Sequence, residues 1–133
     1  MAITKDTGRQ YPLVAQVDFL LGDLTSGTGV GAIDLPQGAT VIGGELVIGT
    51  VFNSTSSDVI VIGDSGVADR YLTNGNGQSL GRTALVPTGY TYTAPTTIHV
   101  KWTSGGGTPR TGAGTLRVMY ALDGRAHEVQ PAA

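Results

Sequence analysis

Between Thr96 and Thr103 the chain reads TTIHVKWT, with Ile98, Val100 and Trp102 at alternate positions and Thr97, His99, Lys101 and Thr103 between them. A period of two is the signature of a half-buried strand, because successive side chains of extended backbone point to opposite faces. TLRVMYAL (115–122) repeats it, with Leu116, Val118 and Tyr120 against Thr115, Arg117 and Met119. Val17, Phe19 and Leu21 alternate with Gln16, Asp18 and Leu20 in a weaker case. Two runs, TVIGGELVIGTVF (40–52) and VIVI (59–62), are more continuously apolar and are expected to be strands covered on both faces. Gly43 and Gly44 interrupt the first, which predicts a bulge, a bend or a close backbone approach.

Turn signals punctuate these runs: Pro36-Gln37-Gly38, NSTSSD (53–58), NGNG (74–77), Pro87-Thr88-Gly89, Ala94-Pro95 and Asp123-Gly124. Strands are expected over 14–21, 29–34, 40–52, 58–63, 79–86, 90–93, 96–103 and 114–122, with one helical turn at most in 64–73. Eight short strands and no convincing helix predict an all-β fold, a single antiparallel sandwich of the jelly-roll kind. The expected organisation is one domain: an N-terminal arm over 1–12, a sandwich over 13–126 and a tail over 127–133, both ends flexible. SGGGTPRTGAG (104–114) reads as a long, flexible hairpin loop carrying Arg110 as its only charge.

Composition sharpens the class. The 133 residues suffice for one core. With 21 glycines and only 14% charged residues the chain suits strands and tight turns, since Gly costs about 0.8–1.0 kcal/mol relative to Ala inside a helix. A formal charge of -2 argues against nucleic acid as a partner. No segment reads as a signal peptide or a membrane-spanning helix, so no membrane partner is expected. The absence of cysteine removes disulfides, thiolate nucleophiles and cysteine-ligated zinc.

Several residues invite chemistry. Gly63-Asp64-Ser65 matches the short motif around the nucleophile of GDSL-type esterases, but the pairing that would activate Ser65, Asp123 with His127, has the wrong spacing, and no crossover helices are visible. Ser65 is therefore read as a turn residue. GTGVG (27–31) lacks the helix a phosphate loop needs and reads as a turn or bulge. His99 and His127 are too few for a metal site, and Asp58, Asp64 and Asp69 do not match a calcium loop, although they could in principle converge on a cation. No catalytic residue, cofactor or metal is expected. Tyr90, Tyr92 and Trp102 offer an alternative, a ligand- or carbohydrate-binding β-sandwich module.

The stretches LPQGATVIGGELVIGTVFNS (35–54), SDVIVIGDSGVADRYL (57–72), GRTALVPTGYTYTAPTTIHVKW (81–102) and GAGTLRVMYALDGRA (112–126) resemble small structural proteins of tailed phages. The likeness covers about two-thirds of the chain and points to head decoration, or cement, proteins. It implies a non-enzymatic β-sandwich subunit that binds the outer surface of the capsid, with the major capsid protein as partner. A dimer or trimer is expected, because a symmetric copy covers open strand edges. Candidate contact residues are Lys5, Arg9 and Tyr11 of the arm, Asp69, Arg70 and Tyr71 of the loop after VIVIGDSG, and Arg110.

Overall fold

The computed structural model describes residues 9–124. Eight strands run in the order β1 (Leu13–Leu20), β2 (Thr28–Leu35), β3 (Ala39–Thr50), β4 (Asp58–Gly63), β5 (Leu72–Asn76), β6 (Gly81–Ala84), β7 (Thr96–Ser104) and β8 (Ala113–Leu122). They form two four-stranded antiparallel sheets, β1-β8-β3-β6 and β2-β7-β4-β5. Every connection except β4–β5 crosses from one sheet to the other, and this order is that of a jelly roll. A single 3-10 turn (Leu21–Asp23) follows β1, and residues 64–71, within the stretch 64–73 that allowed one helical turn at most, form a loop of tight turns.

The core is the interface of the two sheets. Ile98, Val100 and Trp102 of β7 face Leu116 and Val118 of β8, all buried, as their alternation predicts. The continuous runs turn out to be covered on one face only. In β3 the register against β8 shifts between Val41 and Gly43, and Gly44 has φ +138° with its absent Cβ site 2.3 Å from the Arg117 carbonyl. The extra residue flips the phase, so Val41 before it and Leu46 and Ile48 after it all point inward. Ile60 and Ile62 of β4 are buried while Val59 and Val61 lie half-exposed on the outer face.

Three further expectations change. The segment 90–93 is not a strand; Thr91 makes one isolated bridge to Thr40. The missing strand is β5, within what reads as a turn. Gly75 sits buried there because a Cβ would lie 2.7 Å from the Ile60 carbonyl. The glycine-rich loop after β7 is no hairpin, since β7 and β8 belong to different sheets. It is tied to the β3–β4 loop by Thr55 N–H to Gly106 O (3.0 Å), Gly105 N–H to Ser57 O (2.7 Å) and the Arg110 and Thr111 N–H groups to Asn53 Oδ1. Gly112 lets the Phe52 ring approach to 2.5 Å of where a Cβ would stand.

At the N-terminal side the expected arm is already anchored within the described residues. Gln10 donates through Nε2 to Leu122 O (2.7 Å) and accepts from Leu122 N–H at Oε1 (2.9 Å), extending the β1–β8 pairing with a side chain. Lys5 and the tail 127–133, with His127, lie outside the described residues.

Candidate functional site

Both ends of β4 carry a buried aspartate, and each draws together the loops of its end of the sandwich. Asp58 opens the strand. Its Oδ1 accepts from Trp102 Nε1 (2.7 Å) and Ser54 Oγ (2.6 Å), and its Oδ2 from Ser54 N–H (2.9 Å) and Gln78 Nε2 (2.9 Å). Because the Ser54 hydroxyl proton is committed to Asp58, Ser104 donates to Ser54 Oγ (2.7 Å). Ser104 N–H in turn reaches Ser26 Oγ (2.9 Å), so segments from three connections meet the end of β7 here. Burial alone would raise the Asp58 carboxyl, but the hydrogen bonds from Ser54, Gln78 and Trp102 outweigh it and hold the group below the usual aspartate range.

Asp64 follows the strand. Oδ1 accepts the N–H groups of Gly66 (2.9 Å) and Val67 (2.8 Å), and Oδ2 accepts from Arg70 Nε (2.6 Å) and the Tyr92 hydroxyl (2.7 Å). With that proton committed, Tyr71 OH donates to Tyr92 OH (2.7 Å), giving a buried relay Tyr71–Tyr92–Asp64. Burial works against the charge here too, and Arg70, the Val67 N–H and Tyr92 overcome it to lower the carboxyl. The same burial, joined by the bonds to Tyr71 and Asp64, pushes the Tyr92 phenol far up. Gly63 permits the loop to fold back over the strand, since a Cβ would lie 2.2 Å from the Val67 carbonyl.

Arg70 joins this buried knot to the surface. Its guanidinium sits 4.0 Å above the Tyr90 ring, and Tyr90 meets Tyr92 edge-on at 5.2 Å. Tyr92 also binds the β2–β3 connection through Tyr92 N–H to Ala39 O (2.9 Å) and Gly38 N–H to Tyr92 O (2.8 Å). Around this end lie Tyr11, Val67, Val86 and Tyr90, four of the eight exposed large apolar residues among those described. Among the described residues no comparable cluster marks the Asp58 end, where Leu20 and Leu80 are exposed.

The sequence-derived contact residues divide accordingly. Asp69, Arg70 and Tyr71 come together at the Asp64 end, with Asp69 exposed, while Tyr11, also exposed, precedes β1 at the opposite edge of the sandwich. Tyr71 is a correction: at 1% exposure its ring belongs to the core, and its role is to support the loop. Arg70 is likewise no free surface cation but the partner of Asp64. Arg110 is exposed at the opposite end, and Arg9 is exposed beside Gln10. Ser65 is exposed on the loop, where its neighbour Asp64 does the structural work. The sugar-platform idea fails on geometry, because Tyr92 and Trp102 are buried and a face of Tyr90 is occupied by Arg70. Nor do the aspartates converge on a cation. Asp58 and Asp64 are six residues apart along extended chain, about 20 Å, and among the described residues no acidic or histidine cluster suits a metal.

A second polar feature crosses the outer face of the β1-β8-β3-β6 sheet. Gln16 Oε1 accepts from Arg117 Nε (2.9 Å), Arg117 pairs with Glu45 (2.7 Å), and Arg82 pairs with the other Glu45 oxygen. The bonds to Arg82 and Arg117 lower the Glu45 carboxyl. Among the described residues no helix is long and apolar enough to cross a membrane.

No protein-family model matches the chain, and neither does any curated protein. Solved structures do. A chain of the cyanophage Pam1 capsid asymmetric unit is 22% identical over 92% of this chain and 91% of that one, with a TM-score of 0.63. A chain in the acidic stable capsid structure of Helicobacter pylori bacteriophage KHP30 is 20% identical over 86% and 90%, at 0.65. One from the capsid of Ralstonia phage GP4 is 15% identical over 100% and 92%, at 0.61. At these identities the likeness is one of fold, and it runs almost end to end in each pair: the jelly roll described above is also built by chains of three phage capsids.

Proposed function

We propose that the chain is a structural virion protein that binds the outer surface of a phage capsid and stabilises the mature head, as a decoration or cement subunit without enzymatic activity. The observation that carries this reading is the end-to-end likeness to chains of three phage capsids. The physical character of the fold supports the accessory role. Among the described residues no buried side-chain polar atom lacks a hydrogen-bond partner, so the sandwich is complete before it meets anything else. A subunit added to an assembled shell has to fold first and bind afterwards.

We assign the shell contact to the Asp64 end, which combines the exposed apolar residues with Asp69 and the stacked Arg70. Central apolar and aromatic groups with an arginine among them are the usual composition of a binding surface. Arg110, at the far end, is left to meet a neighbouring copy, and Lys5 and Arg9 belong with the arm. The major capsid protein and further copies of this chain are the partners, and repetition of modest contacts over a shell supplies the strength.

The test is to add the purified protein to expanded heads that lack it, image its position, and follow DNA release on heating or osmotic shock. The expected outcome is density on the outer capsid surface and rupture at a higher temperature. Heads of equal robustness with and without the protein overturn the stabilising role, and a position on the tail overturns the assignment altogether.

A further inference from the structure

Of the strands that end the two sheets, β1 alone lacks the usual protections of an edge. β5 and β6 are five and four residues long, and β2 is bulged between Gly31 and Ile33. Short or bulged edges resist the addition of a further strand. β1 pairs with β8 in unbroken register over its eight residues, has no proline and carries one charge, Asp18. Leu21 N–H donates to Gly112 O (2.9 Å), and Gln10 bonds both backbone groups of Leu122. By the alternation of an antiparallel ladder, Leu13, Ala15, Val17 and Phe19 therefore turn their backbone groups to β8, and Val14, Gln16, Asp18 and Leu20 turn theirs to the open side. The side chains of these last four lie exposed on the outer face, Val14 at 62% and Leu20 at 61%.

We propose that two copies of the chain join through β1, antiparallel about a two-fold axis at Val17, so that their β1-β8-β3-β6 sheets continue across the interface. The side chains of β1 select both the partner and the register. About this axis Gln16 faces the partner's Asp18. Gln16 Oε1 already accepts from Arg117 (2.9 Å), which leaves its amide to donate, and Asp18 Oδ1 already accepts from Thr115 (2.7 Å), which leaves Oδ2 to receive it. Val14 faces the partner's Leu20, so the exposed apolar residues at the two ends of the strand cover each other. On the core side Val17 meets the partner's Val17, and the small Ala15 meets the partner's Phe19. The main chain fits the same register. Gln16 and the partner's Asp18 exchange N–H and C=O bonds, and Val14 N–H reaches the partner's Leu20 O, because Leu20 N–H is already held by Asp23 Oδ2 (2.9 Å). A slip of two residues would set Asp18 against Asp18 or against Val14. A slip of one would oppose outer-face to core-face positions.

The inference concerns self-association and does not depend on the capsid reading. Sedimentation of the full chain over a concentration series should show a monomer–dimer equilibrium. Gln16→Glu keeps an oxygen for Arg117 but sets a carboxylate against the partner's Asp18 at both symmetric positions, and the dimer should weaken on the order of tenfold. Adding Asp18→Asn to that variant restores an amide opposite the new carboxylate, and association should recover. The register is read by mild oxidation, since the chain has no cysteine of its own. Val17→Cys should cross-link across the axis, whereas Ala15→Cys, opposite the partner's Phe19, should not; the urea midpoint of each variant shows that it folds. A full chain that stays monomeric at its highest soluble concentration, as it would if its own residues lay along β1, overturns the proposal. So does a dimer that Gln16→Glu leaves unchanged, or one that Ala15→Cys cross-links as readily as Val17→Cys. Head binding is measured separately, so a failure here leaves the capsid reading standing, and the reverse.

Discussion

At one end of β4 the buried carboxylate of Asp58 is held by neutral donors alone, whereas at the other end that of Asp64 meets a guanidinium. Both are nearly inaccessible, and both organise the loops around them. The difference lies in where the counter-charge leads. Neutral donors from Ser54, Gln78 and Trp102 satisfy Asp58 without bringing a cation into the site, so that end is a closed structural knot. Arg70 carries the Asp64 network outward to Tyr90 and to the exposed residues around it. One end closes on itself, and the other opens onto exposed side chains.

The sharpest break in this comparison is Asp58→Ala. It strands the donors of Trp102, Gln78 and Ser54 in a buried site, and the expected loss is about 3–5 kcal/mol, read as a fall in the urea midpoint with an unchanged slope. Losing less than about 1 kcal/mol would mean that the loops at this end do not depend on the carboxylate.

How far was this legible beforehand? Period-two runs such as Ile98-Val100-Trp102 identified β7 and β8 and hence the fold class, because alternation is a local property. β3 and β5 were harder for opposite reasons. In β3 a bulge at Gly43-Gly44 changes phase and makes a one-faced strand look two-faced. In β5 the glycine that reads as a turn is there to let Ile60 come close. The pairing of β7 and β8 with different sheets is a tertiary fact that loop composition does not encode. Of the site, the loop 64–71 was visible as an interruption of an apolar run. The organising role of its aspartate was not, since Tyr92 lies 28 residues away, as Trp102 lies 44 from Asp58. The signal that was present is an acidic residue flanking VIVI on each side. A carboxylate adjoining a buried strand must find donors somewhere.

Acid and base should act differently on the two ends. Asp58 and Asp64 both have carboxyl groups lowered by folding, so the folded state binds fewer protons than the unfolded chain. Their stabilisation is full above the unfolded aspartate value, about 3.9, and is lost as pH falls through the lowered folded values. Asp58→Asn and Asp64→Asn should each flatten the dependence of stability on pH below about 5. Alkali selects one end. The Tyr71 and Tyr92 phenols are raised by burial, so their contribution is intact below the unfolded tyrosine value, about 10, and is lost as pH climbs beyond it. Tyr92→Phe should cost about 2 kcal/mol at neutral pH and weaken the alkaline decline. An equal alkaline decline in the variant would deny Tyr92 its part in it.

The smallest effect on stability is also the most informative about function. Arg70→Ala leaves Asp64 its two backbone N–H donors and the Tyr92 hydroxyl, and the guanidinium site is open enough for water to enter. The cost should be about 1–2 kcal/mol, less than for Asp58→Ala. Head binding should nevertheless fall on the order of tenfold, because the stacked cation and the Tyr90 ring it orients lie on the surface assigned to the shell. Arg70→Lys keeps the charge but loses the planar stack, so it should recover much of the stability and little of the binding. Arg110→Ala, at the closed end, should leave head binding unchanged. If Arg110→Ala weakens binding to the shell and Arg70→Ala does not, the roles of the two ends are reversed, and the closed knot around Asp58 is what faces the capsid.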